Sequence, residues 1–92
     1  MRKPEIWWSD EKNQLLKDQR KLTFEAVATA IEDKQVLDDF AHPTRRNQRI
    51  LVVELEGYIC SVPYVMDGDG MFLKTIYPNR ELQKKYKVPN EN

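Results

Sequence analysis

Arg49-Ile50-Leu51-Val52-Val53-Glu54-Leu55, then Glu56-Gly57, then Tyr58-Ile59-Cys60-Ser61-Val62-Pro63-Tyr64-Val65 reads as two strands joined by a tight turn. Branched and aliphatic side chains suit a pleated surface, and Glu56-Gly57 is the turn signal between them. Asp67-Gly68-Asp69-Gly70 follows with residues that tolerate positive φ, turning the chain into a third antiparallel strand, Met71 to Tyr77. Three consecutive strands make a meander. Pro63 has no N–H to give a ladder, so the middle strand is expected to carry a bulge or an unpaired stretch there.

Outward from this hairpin, the upstream chain supplies one short strand and two helices. Glu5 to Trp8 reads as the strand, and Ser9 or Asp10 caps a charged helix to about Gln19 whose only large apolar residues are Leu15 and Leu16. Thr23 caps a second helix in which Phe24, Val27, Ala28 and Ile31 recur on one face. Gln35 to Phe40 is a strand candidate, and His42 to Gln48 is a polar loop. Downstream, Pro78 ends the last strand, Asn79 is an N-cap, and Arg80 to Lys87 forms a short helix before Pro89 and a polar tail. The predicted order is β-α-α-β-β-β-β-α. The fold class is α+β: an antiparallel β-meander sheet with two N-terminal helices on one face, and a short C-terminal helix on that same side.

Residues 1–92 suffice for one domain, with a core expected from about residue 5 to 87 and a tail over 88–92. No apolar run approaches the roughly 20 residues that span a bilayer, and the first residues lack the pattern of a secretory signal, so a cytoplasmic protein with no membrane partner is expected. Cys60 is the single cysteine, which excludes an intrachain disulfide and a cysteine-built zinc site. Asp67-Gly68-Asp69-Gly70 opens like a calcium loop, but Phe72 stands where such loops need glycine, and no acid closes the motif. No metal and no cofactor are expected.

Fifteen Lys and Arg balance fifteen Asp and Glu, so any attraction to nucleic acid must be local. Arg45, Arg46 and Arg49 form one basic group; Lys74, Arg80, Lys84, Lys85 and Lys87 form another. His42, beside Pro43 and near those arginines, is either a general base or a solvated loop residue. The arginines could clamp phosphates bidentately or simply be hydrated. On an unbroken last strand Lys74 shares a face with Phe72 and Ile76, while Thr75 and Tyr77 share the other. Arg80 and Lys84 are four apart on the terminal helix, as are Leu82 and Tyr86. Tyr77 before Pro78 and Arg80 after it would set a ring for base stacking beside a guanidinium, or Tyr77 packs. These groups suffice for metal-independent RNA cleavage by the adjacent 2′-hydroxyl.

The ordered set Trp7-Trp8-Ser9-Asp10-Glu11-Lys12-Asn13, Leu22-Thr23-Phe24-Glu25-Ala26, Asp39 with His42, Arg49 leading an apolar strand, and Asn79-Arg80-Glu81 with Tyr86 resembles the BrnT-like toxins. These are small proteins of RelE-type ribonuclease fold, encoded beside a DNA-binding antitoxin. The resemblance runs from about residue 6 to residue 87, and its motifs are short, so their order and spacing carry it. The family's arginine run before the last helix is reduced here to Arg80, and this chain is neutral where the family tends to be basic. The resemblance implies a type II toxin that cleaves mRNA, free or on the ribosome, inhibits translation, and is neutralised by a cognate DNA-binding antitoxin. It implies His42, Arg49, Lys74 and Arg80 as catalytic residues, with Arg45, Arg46, Tyr77, Lys84, Lys85 and Tyr86 binding RNA around them. The alternative is a non-catalytic protein-binding module with the same fold.

Overall fold

A computed structural model describes residues 5–86 and shows an α+β domain. Its elements are β1 (Glu5–Trp8), α1 (Asp10–Arg20), α2 (Phe24–Glu32), β2 (Asp38–Ala41), β3 (Gln48–Leu55), β4 (Tyr58–Asp67), β5 (Gly70–Leu73), β6 (Tyr77–Pro78) and α3 (Arg80–Tyr86). The helix starts follow the caps legible in the chain. Ser9 Oγ accepts from the Lys12 amide, Thr23 Oγ1 from the Ala26 amide and Asn79 Oδ1 from the Leu82 amide. Among the described residues, no helix is long and apolar enough to cross a membrane.

The sheet order is β1-β5-β4-β3-β2, and the predicted meander of β3, β4 and β5 is present with β2 antiparallel on its outer side. Glu56 and Gly57 both take positive φ, 51° and 82°, the conformation a two-residue hairpin turn demands. Two expectations change at the edges. β1 pairs with β5 in parallel, so the sheet is mixed rather than wholly antiparallel. The strand predicted to begin by Gln35 begins at Asp38.

The last strand is split, and the interruption expected in the strand that carries Pro63 lies in its neighbour. Leu73 pairs with Tyr64 and Tyr77 with Ser61, so the chain takes four steps on one side against three on the other. The extra residue lies between Lys74 and Ile76, opposite Pro63. The Lys74 amide donates to the Pro63 carbonyl at 2.8 Å, which shows that Pro63 turns its backbone toward this edge. The reciprocal bond would need the N–H that proline lacks, and the neighbouring strand bulges there instead. The bulge shifts the side-chain phase. Leu73 and Ile76 both enter the main core, and Tyr77 shares a face with Phe72, contrary to unbroken alternation.

One face of the sheet carries the main core: Leu51, Val53, Leu55, Cys60, Val62 and Tyr64 pack under Leu16, Leu22, Phe24, Val27 and Ala30 of the first two helices and their link. Trp8 stacks on Phe24 with ring centroids 5.7 Å apart. Asn13 locks the two helices together, accepting from the Phe24 amide and donating to Glu25. The opposite face carries a second cluster, Ile50, Val52 and Ile59, covered by Leu82 and Tyr86 of α3. The terminal helix therefore does not join the other two on one side. The alternation of β3 and β4 is apolar on both faces, and each apolar face needs its own cover.

Asn79 anchors α3 to the sheet through its amide to the Ile59 carbonyl, its Nδ2 to Ser61 Oγ and its cap bond. Asn79→Ala should lower unfolding free energy by about 1–2 kcal/mol in urea titration. Amide exchange should accelerate across residues 80–86 while α2 stays protected.

Candidate functional site

Beside α3, on the same face of the sheet, a cleft of about 360 Å³ is lined by His42, Arg45, Gln48, Pro63, Lys74, Thr75 and Tyr77. Two distant segments build it. His42 and Arg45 come from the loop between β2 and β3, Lys74 and Thr75 come from the bulge opposite Pro63, and Tyr77 opens β6 just after it. The bulge is what allows Lys74 and Tyr77 to line one cleft. No acidic side chain lines it, and neither Lys74 nor Arg45 has an acid partner among the described residues. A hollow with two permanent cations and a histidine, rimmed by a tyrosine that is 37% exposed, is suited to a phosphodiester beside an unstacked base.

His42 is held by its own loop. Its Nδ1 accepts from the amides of Thr44 and Arg45, each at 3.1 Å. A nitrogen that accepts two amide hydrogens carries none itself, so the neutral ring bears its hydrogen on Nε2. His42 in this tautomer lines the cleft. While those two loop bonds hold, the neutral ring can donate a hydrogen bond from Nε2 and has no free nitrogen to take up a proton.

Arg49 lies elsewhere. Gln48 faces the cleft, so the next residue of β3 points to the opposite face, where Arg49 pairs across the ladder with Tyr64. Its Nε donates to Asp39 Oδ1 at 3.0 Å, its Nη2 donates to the Asp39 carbonyl, and Tyr64 donates its hydroxyl to the same carboxylate at 2.8 Å. Asp39 holds the guanidinium pKa above its ordinary value, mainly through the hydrogen bond. Arg49 is thus a structural tie between β2 and β3, not a member of the cleft.

The remaining candidates separate in the same way. Tyr86 packs on the second cluster and donates its hydroxyl to Asp38 at 2.8 Å, which ties α3 to β2 and raises the phenol pKa. Arg46, Arg80, Lys84 and Lys85 are exposed and outside the cleft lining; Lys85 Nζ stands 5.5 Å from the Tyr86 ring centroid. Arg80 nevertheless begins the helix that packs on the cleft's own face. Gln48 and Thr75 line the cleft without having been singled out, because neither residue type carries a charge or a ring to mark it. Cys60 is fully buried, and burial pushes its thiol up to about 11, which removes it as a nucleophile. Among the described residues, no group of three His, Cys, Asp or Glu could hold a metal ion.

No family model matches this chain, no curated protein matches it, and no solved structure matches it.

Burial, and then the bond to Asp39, push the Tyr64 hydroxyl up to about 12 from an ordinary value of 10. A phenol whose folded pKa exceeds its unfolded one contributes fully below pH 10, and that contribution disappears as pH rises toward 12. Urea midpoints of the wild type should therefore fall through this window. Tyr64→Phe should start lower and fall less, the remaining slope coming from Cys60 and Tyr86.

Proposed function

We propose that this protein is a metal-independent endoribonuclease of the toxin type, cleaving mRNA at the cleft between the His42 loop and the bulge, with a cognate DNA-binding antitoxin as its natural inhibitor. The observation that carries the proposal is the convergence of His42, Arg45, Lys74 and Tyr77, from segments some thirty residues apart, on one acid-free hollow. The resemblance to BrnT-like toxins in the order of its short motifs supports the same reading.

In the reaction, the 2′-hydroxyl loses its proton and attacks the adjacent phosphorus, the P–O5′ bond breaks, and the departing 5′-oxygen takes up a proton. The products are a 2′,3′-cyclic phosphate and a 5′-hydroxyl. Arg45 and the Nε2 hydrogen of His42 stabilise the charge that builds on the non-bridging oxygens, the type of contribution worth about 10²- to 10³-fold per donor. Lys74 gives a proton to the departing 5′-oxygen, and solvent takes up the proton of the 2′-hydroxyl. The donor orientation of His42 gives specific support to the second reading, a non-catalytic module that keeps the fold and binds through the same surface without cleaving.

Expression of the wild type should arrest growth, and incubation with RNA or translating ribosomes should yield mapped cleavage ends. Lys74→Ala and His42→Ala should each lower cleavage by about 10²-fold or more with unchanged melting behaviour. Arg49→Ala should do the reverse, lowering stability while cleavage by the folded fraction persists. Full activity in both Lys74→Ala and His42→Ala would sink the assignment, and binding without any cleaved ends would select the non-catalytic module.

A further inference from the structure

The two tryptophans at the start of the chain divide between the faces of the sheet. Trp8 pairs with Leu73 and enters the main core against Phe24; Trp7 pairs with Phe72 and lies on the face that carries the cleft. The pairings Trp7 with Phe72, Phe72 with Val65 and Val65 with Gln48 define one cross-strand row, and the His42 amide bonded to the Gln48 carbonyl extends it into the loop. The row thus runs from an indole to the cleft. Four strand steps of about 4.8 Å each make it about 19 Å long.

The Trp7 ring has a prepared seat. A Cβ at Gly70 would collide with the indole atoms Cζ3 and Cη2, so the ring lies directly against the glycine backbone. Gly70 is the one residue that leaves this space open, and it holds the indole down on the sheet rather than upright. Trp7 and Phe72 are both half-buried, neither enclosed nor free. Lys74 joins the row to the cleft: its Nζ stands 5.9 Å from the Phe72 ring centroid, and the same side chain lines the hollow. Aromatic rings along a sheet, ending at cations, are the arrangement that takes up unstacked bases and their phosphates.

Resting on the RNA-binding reading above, we infer that Trp7 and Phe72 form a stacking platform, and that the ligand is single-stranded RNA lying across the strands with its phosphates at Lys74, Arg45 and His42. Paired RNA cannot offer its base faces and is refused. The platform sets where the strand lies relative to the cleft, and so which phosphodiester reaches it.

The test is fluorescence anisotropy with a labelled single-stranded RNA of mixed sequence, and with the same strand annealed to its complement, over a range of salt. Trp7→Leu should weaken single-strand binding roughly 5- to 150-fold and leave the salt dependence unchanged, while Trp7→Phe recovers most of the affinity. Lys74→Ala should instead reduce the slope of log affinity against log salt by about 0.7, the share of one phosphate contact on a single strand. Phe72→Leu gives the same readout as Trp7→Leu should that variant fail to fold. Wild-type affinity in Trp7→Leu or Phe72→Leu, or equal affinity for duplex, would overturn the platform while leaving the RNA reading intact. A wild type that binds neither RNA would overturn both.

Discussion

Pro63 stands inside the longest strand without an amide hydrogen for the neighbour on its open edge, and most of what is distinctive in this fold follows from that deficit. An antiparallel pair exchanges two hydrogen bonds at such a position, and only the one from Lys74 can be made. The neighbouring strand cannot continue in register at no cost, so it takes on an extra residue. The bulge leaves backbone groups without ladder partners, and one of them is settled from the other side of the sheet: Arg20 at the end of α1 donates to the Ile76 carbonyl at 2.9 Å. A proline in β4 thus reaches through Ile76 to α1, and through the shifted phase of Tyr77 and Asn79 to the docking of α3.

The helices and the hairpin were legible because their signals are local. Thr23 with the apolar spacing of Phe24 and Val27, and Glu56-Gly57 between two branched runs, require no knowledge of distant residues. What escaped is non-local. The parallel pairing of β1 with β5 joins residues more than sixty positions apart in a chain with nothing at Glu5–Trp8 to set strand direction. The side taken by α3 depends on which residues of β3 remain uncovered, and a strand that is apolar on both faces, as at Ile50 to Val53, does not announce it. Pro63 advertised an interruption, but whether β4 or its neighbour would bulge is decided by the strand partner.

For the cleft, residue type was a useful guide to His42, Arg45, Lys74 and Tyr77 and a poor one to Arg49 and Tyr86. The difference is the presence of a carboxylate within reach. Asp38 and Asp39 are adjacent on β2 and point to opposite faces, so one takes the Tyr86 hydroxyl and the other takes Arg49 and Tyr64. Neither pairing is visible without the register of β2 on β3. Net charge conceals the same division. A balanced chain consumes part of its basic groups in ties to its own acids, and what functions electrostatically is the residue of that pairing: the cations with no acid beside them.

That division also bears on why an apolar strip and a basic hollow share one face. The first face is committed to Phe24, Val27 and their helix partners. On the second face, among the described residues, Leu82 and Tyr86 of α3 cover Ile50, Val52 and Ile59, and Val65 and Phe72 stay half-buried outside that cluster. An apolar cover over those two residues would stabilise the fold, at roughly 25 cal/mol for each Å² buried. It would also close the row that begins at Trp7. A domain this small has little stability in reserve, so leaving that row half-open costs burial, and the cost is intelligible if ligand contact, rather than packing, is what the open half of the sheet supplies.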